Sequence, residues 1–341
     1  MAKVSKRQKE YGRKWLKIGF SRLFLPLIMK VHYELAPSLP TFNNAVLTIG
    51  TFDGVHNGHQ KILQQLRETA IAVHGETVII TFHPHPRKIV SSVPGDVKLL
   101  TTLQEKISLL EKAGIDHLVV VPFDHHFSNL SASAYISDFI VAFFKPHTVV
   151  IGYDHRFGKG RLGDFQLLEQ LGLENGFVVN EISEQVLQES VVSSTKIRAS
   201  IAAHDIETAN IFLGYPYFFD GLVVEGNKVG RTIGYPTANL HIAPEEKLIP
   251  SDGVYAVRVT INDAKEVYMG MMNIGVRPTI DGKKRVVEVN IFDFDADIYG
   301  AQVKVELYYY LRGEVKFDGL EGLKAQLLQD KNKATTLLKS N

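Results

Sequence analysis

From residue 45 to residue 182, short apolar runs rich in β-branched residues alternate with stretches whose apolar residues recur at helical spacing. Ala45 to Gly50 (AVLTIG) reads as a strand, and Ile62, Leu63, Leu66, Ala70 and Val73 then share one face of a helix. Strand texture returns at 77–82, 117–121, 148–151 and 177–182. Helical spacing separates these runs at Leu103, Ile107 and Leu110, at Ile136, Phe139, Ile140 and Phe143, and over 165–171. A mostly parallel, doubly wound α/β sheet of Rossmann-like type buries such strands on both faces, and its ligand crevice lies beyond their carboxyl ends. Residues 51–59 sit at such an end.

After about residue 205 the texture changes to short runs at 218–224, 254–261, 267–274, 286–292 and 303–311, split by glycine, Asn262-Asp263 and Asp281-Gly282. Several short strands with turn signals predict a small β-barrel or sandwich. Leu320, Leu323, Leu327 and Leu328 mark one amphipathic helix at the end. With no internal repeat and no low-complexity linker, the expected boundary rests on this change of period, giving domains 29–205 and 206–341.

A chain of 341 residues suits about two domains. It contains no cysteine, which excludes thiol nucleophiles, CxxC redox chemistry, iron–sulfur ligation and cysteine-based zinc sites, and fits a reducing cytoplasm. Residues 1–28 hold eight Lys and Arg against one acid, leaving 30 bases against 36 acids, a net of −6, for the rest. The body therefore offers no broad footprint for nucleic acid. The apolar stretch from Leu23 to Met29 is interrupted by Pro26 and far short of the about 20 residues a spanning helix needs, so no membrane anchor is expected. As a secretory signal the head has too long a charged region, and as a transit peptide it is poor in serine. We read residues 1–28 as a basic, non-catalytic extension ahead of a working start at Met29.

His56-Asn57-Gly58-His59 falls where the loop after the first strand becomes a helix. Backbone N–H groups and the helix dipole face an anion there, with two imidazoles beside it and Gly58 permitting close approach. That suits a triphosphate in adenylyl transfer, where an oxyanion attacks the α-phosphate and the protein mainly positions groups and stabilises developing charge. Taken alone, two histidines three apart are more often ordinary polar residues or metal ligands. Ser193, Ser194 and Thr195 open another predicted helix with Arg198 one turn on, and either cap it or bind phosphate. Gly158 to Gly163 matches GxGxxG, but six residues separate it from the strand end near Ile151, where a dinucleotide site needs a tight turn.

The block from Gly50 to His59 (GTFDGVHNGH) resembles the adenylyltransferase signature of the bifunctional riboflavin kinase/FMN adenylyltransferase (FAD synthetase) family, within the HxGH nucleotidyltransferases. Thr81 to Arg87 (TFHPHPR), Gly152 to Gly158 (GYDHRFG) and Ser193 to Arg198 (SSTKIR) follow the family in order. The resemblance implies that His56 and His59 meet the ATP phosphates and the transition state. It places Gly50, Phe52, Gly58, Ser194, Thr195 and Arg198 on the ATP side, Asp53 in local support, and Asp154 and Arg156 with FMN. His155 departs from the phenylalanine that many members carry.

Gly226, Gly230 and Gly234 stand four apart after a predicted strand, followed by Pro236-Thr237-Ala238-Asn239. Such glycines are usually turns in a β-rich domain, yet they also let backbone approach a phosphate chain. Thr237 and Asn239 point to one side of an extended segment and are oxygen donors suited to Mg²⁺ with ATP. The whole block resembles the riboflavin kinase motif GxxxGxxxGxPTAN, and 273–279, 287–290 and 311–318 also follow that family. The resemblance implies a barrel kinase, Glu288 as the base for the ribityl 5′-hydroxyl, Gly226 and Gly230 beside phosphate, and Arg277 near the flavin. Read alone, Glu288 is an outward-facing acid on an alternating strand. Asp293, Asp295 and Asp297 fail as a calcium loop, because Ile298 and Lys304 replace its glycine and glutamate. Tyr308, Tyr309 and Tyr310 read as strand packing, with one ring a candidate for a flavin pocket.

The expected activity is phosphorylation of riboflavin to FMN and adenylylation of FMN to FAD, with ATP, Mg²⁺ and the flavins as partners and no obligate protein partner implied. The alternatives are a relative active on another mononucleotide or keeping only one of the two activities, and a flavin-binding regulatory or storage protein without turnover.

Overall fold

The computed structural model describes residues 28–35, 39–90, 98–183, 192–226, 229–279 and 282–340. The basic head up to residue 27 lies outside the described residues, as does the side chain of Arg277.

The N-terminal part is a six-stranded parallel sheet of β1 (Lys30–His32), β2 (Val46–Ile49), β3 (Thr77–His83), β4 (His117–Pro122), β5 (Thr148–Gly152) and β6 (Val178–Ile182), in the order β1-β4-β3-β2-β5-β6. β2 and β5 are buried along their whole length, as strands covered on both faces must be. The strand order reverses between β2 and β5, so the crevice opens at the carboxyl end of β2. Sequence periodicity located every strand of this sheet except β1, three residues too short and polar to register.

The principal helices are α1 (Asn57–Ala72), α2 (Leu103–Lys112), α3 (Phe165–Asn175), α4 (Ser194–Ala202), α5 (Ile206–Leu213) and α6 (Leu320–Lys339). The starts of the first five are set by side-chain caps: His56 for α1, Asp164 for α3, Ser193 for α4 and Asp205 for α5, with a Thr102–Glu105 capping box on α2. The segment predicted helical around Ile136 is a π-helical run, Tyr135–Val141, that buries Tyr135, Ile136, Phe139 and Ile140. The GxGxxG match forms a 3-10 turn, Lys159–Arg161, in a loop well beyond the end of β5.

The C-terminal part is a closed antiparallel barrel of β7 (Phe218–Val224), β8 (Ala238–His241), β9 (Gly253–Ile261), β10 (Val267–Thr279), β11 (Gly282–Ile291) and β12 (Gln302–Arg312), ordered β10-β11-β8-β7-β12-β9. The barrel is the outcome of the barrel-or-sandwich expectation. Its core joins Tyr255, Val257, Met272, Val289 and Leu307 to Ile197, Ile201, Ala209 and Leu213 of α4 and α5, so these two helices pack with the barrel. The boundary expected near residue 205 falls between them.

The terminal helix covers the outer face of the barrel, where Ala334 and Leu338 pack with Val254, Ala256, Met271 and Leu311. Its buried face differs from the one its leucines suggest. Leu320 and Leu328 are 57% and 53% exposed, whereas Asp330 is 3% exposed. Arg312 on β12 accounts for this, because its Nε and Nη2 grip the Asp330 carboxylate at 2.7–3.0 Å and Gln326 donates to the same carboxylate at 2.9 Å.

Candidate active sites

A cleft of about 870 Å³ opens at the carboxyl end of β2. His56 ends the loop after β2 in an extended conformation, and its Nδ1 accepts the His59 N–H at 3.3 Å, capping α1. Since Nδ1 is the acceptor, the proton of the neutral ring sits on Nε2 and is available to an anion in the cleft. Burial pushes the His56 pKa down to about 4, partly offset by Asp53, and holds His59 well below the ordinary histidine range. The two rings stack with centroids 3.7 Å apart. Both are neutral hydrogen-bonding groups at pH 7, and the first turn of α1 carries no acid to oppose an anion.

Asp53, 2% exposed, ties this loop to its neighbours. Its Oδ1 accepts the N–H groups of Leu100 and Thr101 at 2.9 and 3.1 Å, and its Oδ2 pairs with Arg198. Arg198 also donates from Nε to Lys98 O at 2.6 Å. The serine-rich turn divides its work. Ser193 caps α4, the Ser194 hydroxyl donates to Asp53 O at 3.0 Å, and Thr195 stands exposed on the cleft wall.

Of the residues expected here, Gly50, Asp53, His56, Gly58, His59, Asp154, Arg156, Ser194, Thr195 and Arg198 all border the cleft. Phe52 does not border it; 2% exposed, its ring lies 5.0 Å from that of His59 and beneath Gly50, where a Cβ would come within 3.1 Å of it. Arg156 makes an exposed ion pair with Asp164 at 3.2 Å, worth little in water and easily exchanged for a ligand. His155 borders the cleft as a ring that burial keeps neutral, its pKa lowered to about 4, with Nε2 buried and unpartnered.

Four groups were given no role in the sequence, although Phe82, His85 and Arg87 lie in the Thr81 to Arg87 segment that follows the family. His85 and Arg87 reach the cleft from the end of β3, the strand beside β2. Phe82, Phe123 and Phe127 form an aromatic wall with ring centroids 5.4–5.6 Å apart. Lys106, 6% exposed, donates to Thr81 Oγ1 at 3.3 Å behind the cleft floor, and burial lowers its pKa to about 8. The available signal was its position on the apolar face of α2, in line with Leu103, Ile107 and Leu110.

A second cavity, about 310 Å³, lies on the outer face of the barrel beneath α6. Glu288 faces outward from β11, as strand alternation requires, while Val287 and Val289 fill the barrel. The helix closes that outward face into a cavity, which also receives Thr237, Asn273 and Asn290. Glu288 is opposite Asn239 of β8 and Asn273 of β10 in register. Asn290 donates to Pro236 O at 2.7 Å, fixing the loop that carries Thr237.

The glycines have a steric reason. A Cβ on Gly226 would lie 2.0 Å from Asn239 Nδ2, and one on Gly230 would lie 2.2 Å from Tyr235 O and 3.6 Å from Thr237 Oγ1. Gly226 and Asn239 sit just outside the cavity lining, whereas Gly230 and Thr237 border it. The aromatic residues that border it are Tyr235 and Phe317. In the tyrosine run, Tyr308 packs under Arg258 at 4.8 Å and Tyr310 stacks on His204 at 4.2 Å. Among the described residues, neither the histidine pair nor the Asp293 to Asp297 segment assembles a metal-holding group of His, Asp or Glu.

The FAD synthetase family model matches residues 39–196 and the riboflavin kinase model residues 213–338. A Listeria monocytogenes protein named bifunctional riboflavin kinase/FMN adenylyltransferase is 39% identical over 301 residues, covering 88% of this chain and 94% of its own length. Proteins of the same name from Escherichia coli K12 and Bacillus subtilis are 39% and 37% identical, covering 90% and 91% of their own lengths. A Streptococcus pneumoniae crystal structure, described as a macrolide-efflux protein, aligns with a TM-score of 0.79 at 31% identity over 90% of this chain and 99% of its own. No helix among the described residues of this chain is long and apolar enough to cross a membrane. With both family models matched in order and relatives of this identity aligned over most of both lengths, the chain belongs to the bifunctional riboflavin kinase/FMN adenylyltransferase family.

Proposed function

We propose that this chain makes FAD from riboflavin in two ATP-dependent steps in the cytoplasm. In the barrel, the ribityl 5′-hydroxyl of riboflavin attacks the γ-phosphorus of ATP, and FMN and ADP form. In the N-terminal cleft, an FMN phosphate oxygen attacks the α-phosphorus of a second ATP, and FAD and pyrophosphate form. The observation that carries the proposal is the presence on one chain of two separate phosphate-suited sites, each with its own polar groups and volume.

In the barrel, Glu288 accepts the hydroxyl proton as the phosphoryl group arrives, and Gly226 and Gly230 leave room for the phosphate chain. Thr237 and Asn239 present a hydroxyl and an amide oxygen, a donor set that suits a hard cation arriving with ATP. Mg²⁺ held there would neutralise charge on the phosphates. Arg277 is assigned to the flavin end. In the cleft, the N–H groups of α1 and the Nε2 proton of His56 face the charge that develops on pyrophosphate, with His59 stacked behind. Arg198 and Thr195 approach the phosphates from the opposite wall, and Ser194 holds that wall to the loop. Lys106 adds positive charge below the floor. The aromatic wall of Phe82, Phe123 and Phe127 suits a flat isoalloxazine, with Asp154 and Arg156 at its rim.

The test is chromatography of products from riboflavin with Mg·ATP and separately from FMN with Mg·ATP. FAD from both is expected, with His59→Ala losing the second conversion alone and Glu288→Ala the first alone. Unchanged rates in either variant would refute that residue's role, and flavin binding without any product would refute catalysis.

A further inference from the structure

The N-terminal cleft is joined to the barrel part by a polar connection that passes through a lysine of that part. Residues 98–101 run behind the adenylyl cleft, and the barrel segment 244–248 lies against them. Leu99 N donates to Glu246 O at 2.7 Å, and Leu248 N donates to Leu99 O at 2.8 Å. Between these bonds Lys247 is 2% exposed. Its Nζ donates at 2.7 Å to each of Leu100 O, Glu105 Oε2 and Phe218 O, three acceptors on three different elements. The Tyr217 ring lies 4.7 Å from the same nitrogen. Glu105 Oε2 also accepts Thr102 N at 2.8 Å, so the pair is fixed from both ends.

The peptide held by Lys247 is one that orients the cleft. The Leu100–Thr101 peptide gives its carbonyl to Lys247 and its N–H, that of Thr101, to Asp53 Oδ1, which the Leu100 N–H also reaches, and Asp53 in turn holds Arg198 and the loop that ends in His56. Stability gives little reason to keep an ion pair here. Both side chains are 1% exposed, and desolvating two such charges typically offsets their attraction, so an apolar pair of similar volume would serve the interface as well. What an apolar pair would not do is fix the Leu100 carbonyl in direction. Other contacts, Gln60 Nε2 to Leu213 O at 3.0 Å and Asn57 Nδ2 to Ile211 O at 2.7 Å, anchor the start of α1 without reaching Asp53.

We propose that Lys247, a residue of the kinase barrel, is a positioning residue for adenylyl transfer in the neighbouring cleft, acting through the Leu100 peptide on Asp53 and Arg198. The inference rests on assigning FAD formation to that cleft. It makes the barrel part of the adenylyl site's framework, so that chemistry on one part of the chain depends on a side chain of the other.

The experiment uses the full chain with Lys247→Met and Glu105→Gln combined. The double change removes both charges, while Gln at 105 keeps a side-chain acceptor for the Thr102 capping box, so no buried charge is left unpaired. The expected result is a fall of about tenfold to a hundredfold in kcat for FAD formation from FMN, the scale of an ångström-level misplacement, with KM for ATP little changed. Riboflavin phosphorylation by the same preparation stays within about twofold, since Lys247 shares no partner with the barrel cavity. Amide exchange at Leu100 and Thr101 accelerates in the folded variant. An unchanged kcat for FAD formation, or an equal fall in both activities, overturns the inference. Wild-type protein that forms no FAD from FMN and ATP overturns the assignment of the cleft itself, and the two failures are thereby separated.

Discussion

Replacing Asp53 with asparagine tests how the adenylyl cleft is held together. The side chain keeps its size, and an amide oxygen can still accept the Leu100 and Thr101 N–H groups that now reach Oδ1 at 2.9 and 3.1 Å. What is lost is the ion pair: the new NH₂ meets the Arg198 guanidinium donor to donor. A hydrogen bond to a charged partner contributes about 1.5–3 kcal/mol. Asp53 is 3% exposed in its side chain and Arg198 21%, so Arg198 recovers some hydration on turning into the cleft, and about 2 kcal/mol is the reasonable middle of the range. If that loss falls on the placement of Arg198 in the transition state, it lowers kcat for FAD formation about 30-fold. The same loss lowers the melting temperature of a unit this size by about 4–8 °C. Both conversions are followed on one preparation below its melting transition. Adenylyl transfer should fall while riboflavin phosphorylation holds. Full adenylyl activity in Asp53→Asn, or a parallel fall in both activities, would refute the claim that Asp53 orients this site.

Gly226→Ala should lower riboflavin phosphorylation by about tenfold or more and leave FAD formation from FMN intact, because its Cβ would meet the Asn239 amide at 2.0 Å; the two steady-state rates decide it. His155→Phe removes a buried nitrogen without a partner, so thermal unfolding should show a gain of about 1–2 kcal/mol, and a loss would mean that the imidazole is satisfied in solution. Arg312→Met strands the Asp330 carboxylate under α6 and should cost about 3–5 kcal/mol, read as a lower melting temperature that riboflavin partly restores.

Much of the chemistry was legible because it is local. The strands and helices of the parallel sheet follow from periodicity, and the sheet type places the loop after β2 at the crevice. His56 could be put at a helix start from its neighbours alone, and Ser193 to Arg198 likewise. Thr237 and Asn239 stand in a short extended segment preceded by glycines, of which Gly226 and Gly230 pack closely against Asn239 and Tyr235. The face of the terminal helix was legible only in part, since its leucines mark a helix and yet two of them remain exposed.

The sequence by itself determined which stretches form strands and helices, and where the loops that border the cleft and the cavity begin and end, since period, caps and glycine spacing act over a few neighbouring residues. Tertiary structure decided what covers each face. Glu288 looks outward on its strand whether or not anything lies over it; only the docking of α6 through Arg312 and Asp330 turns that surface into a cavity. Lys106 and Lys247 are taken out of water by packing alone. Their roles depend on partners 25 and 142 residues away in the chain, Thr81 and Glu105, and no local rule relates residues at such separations.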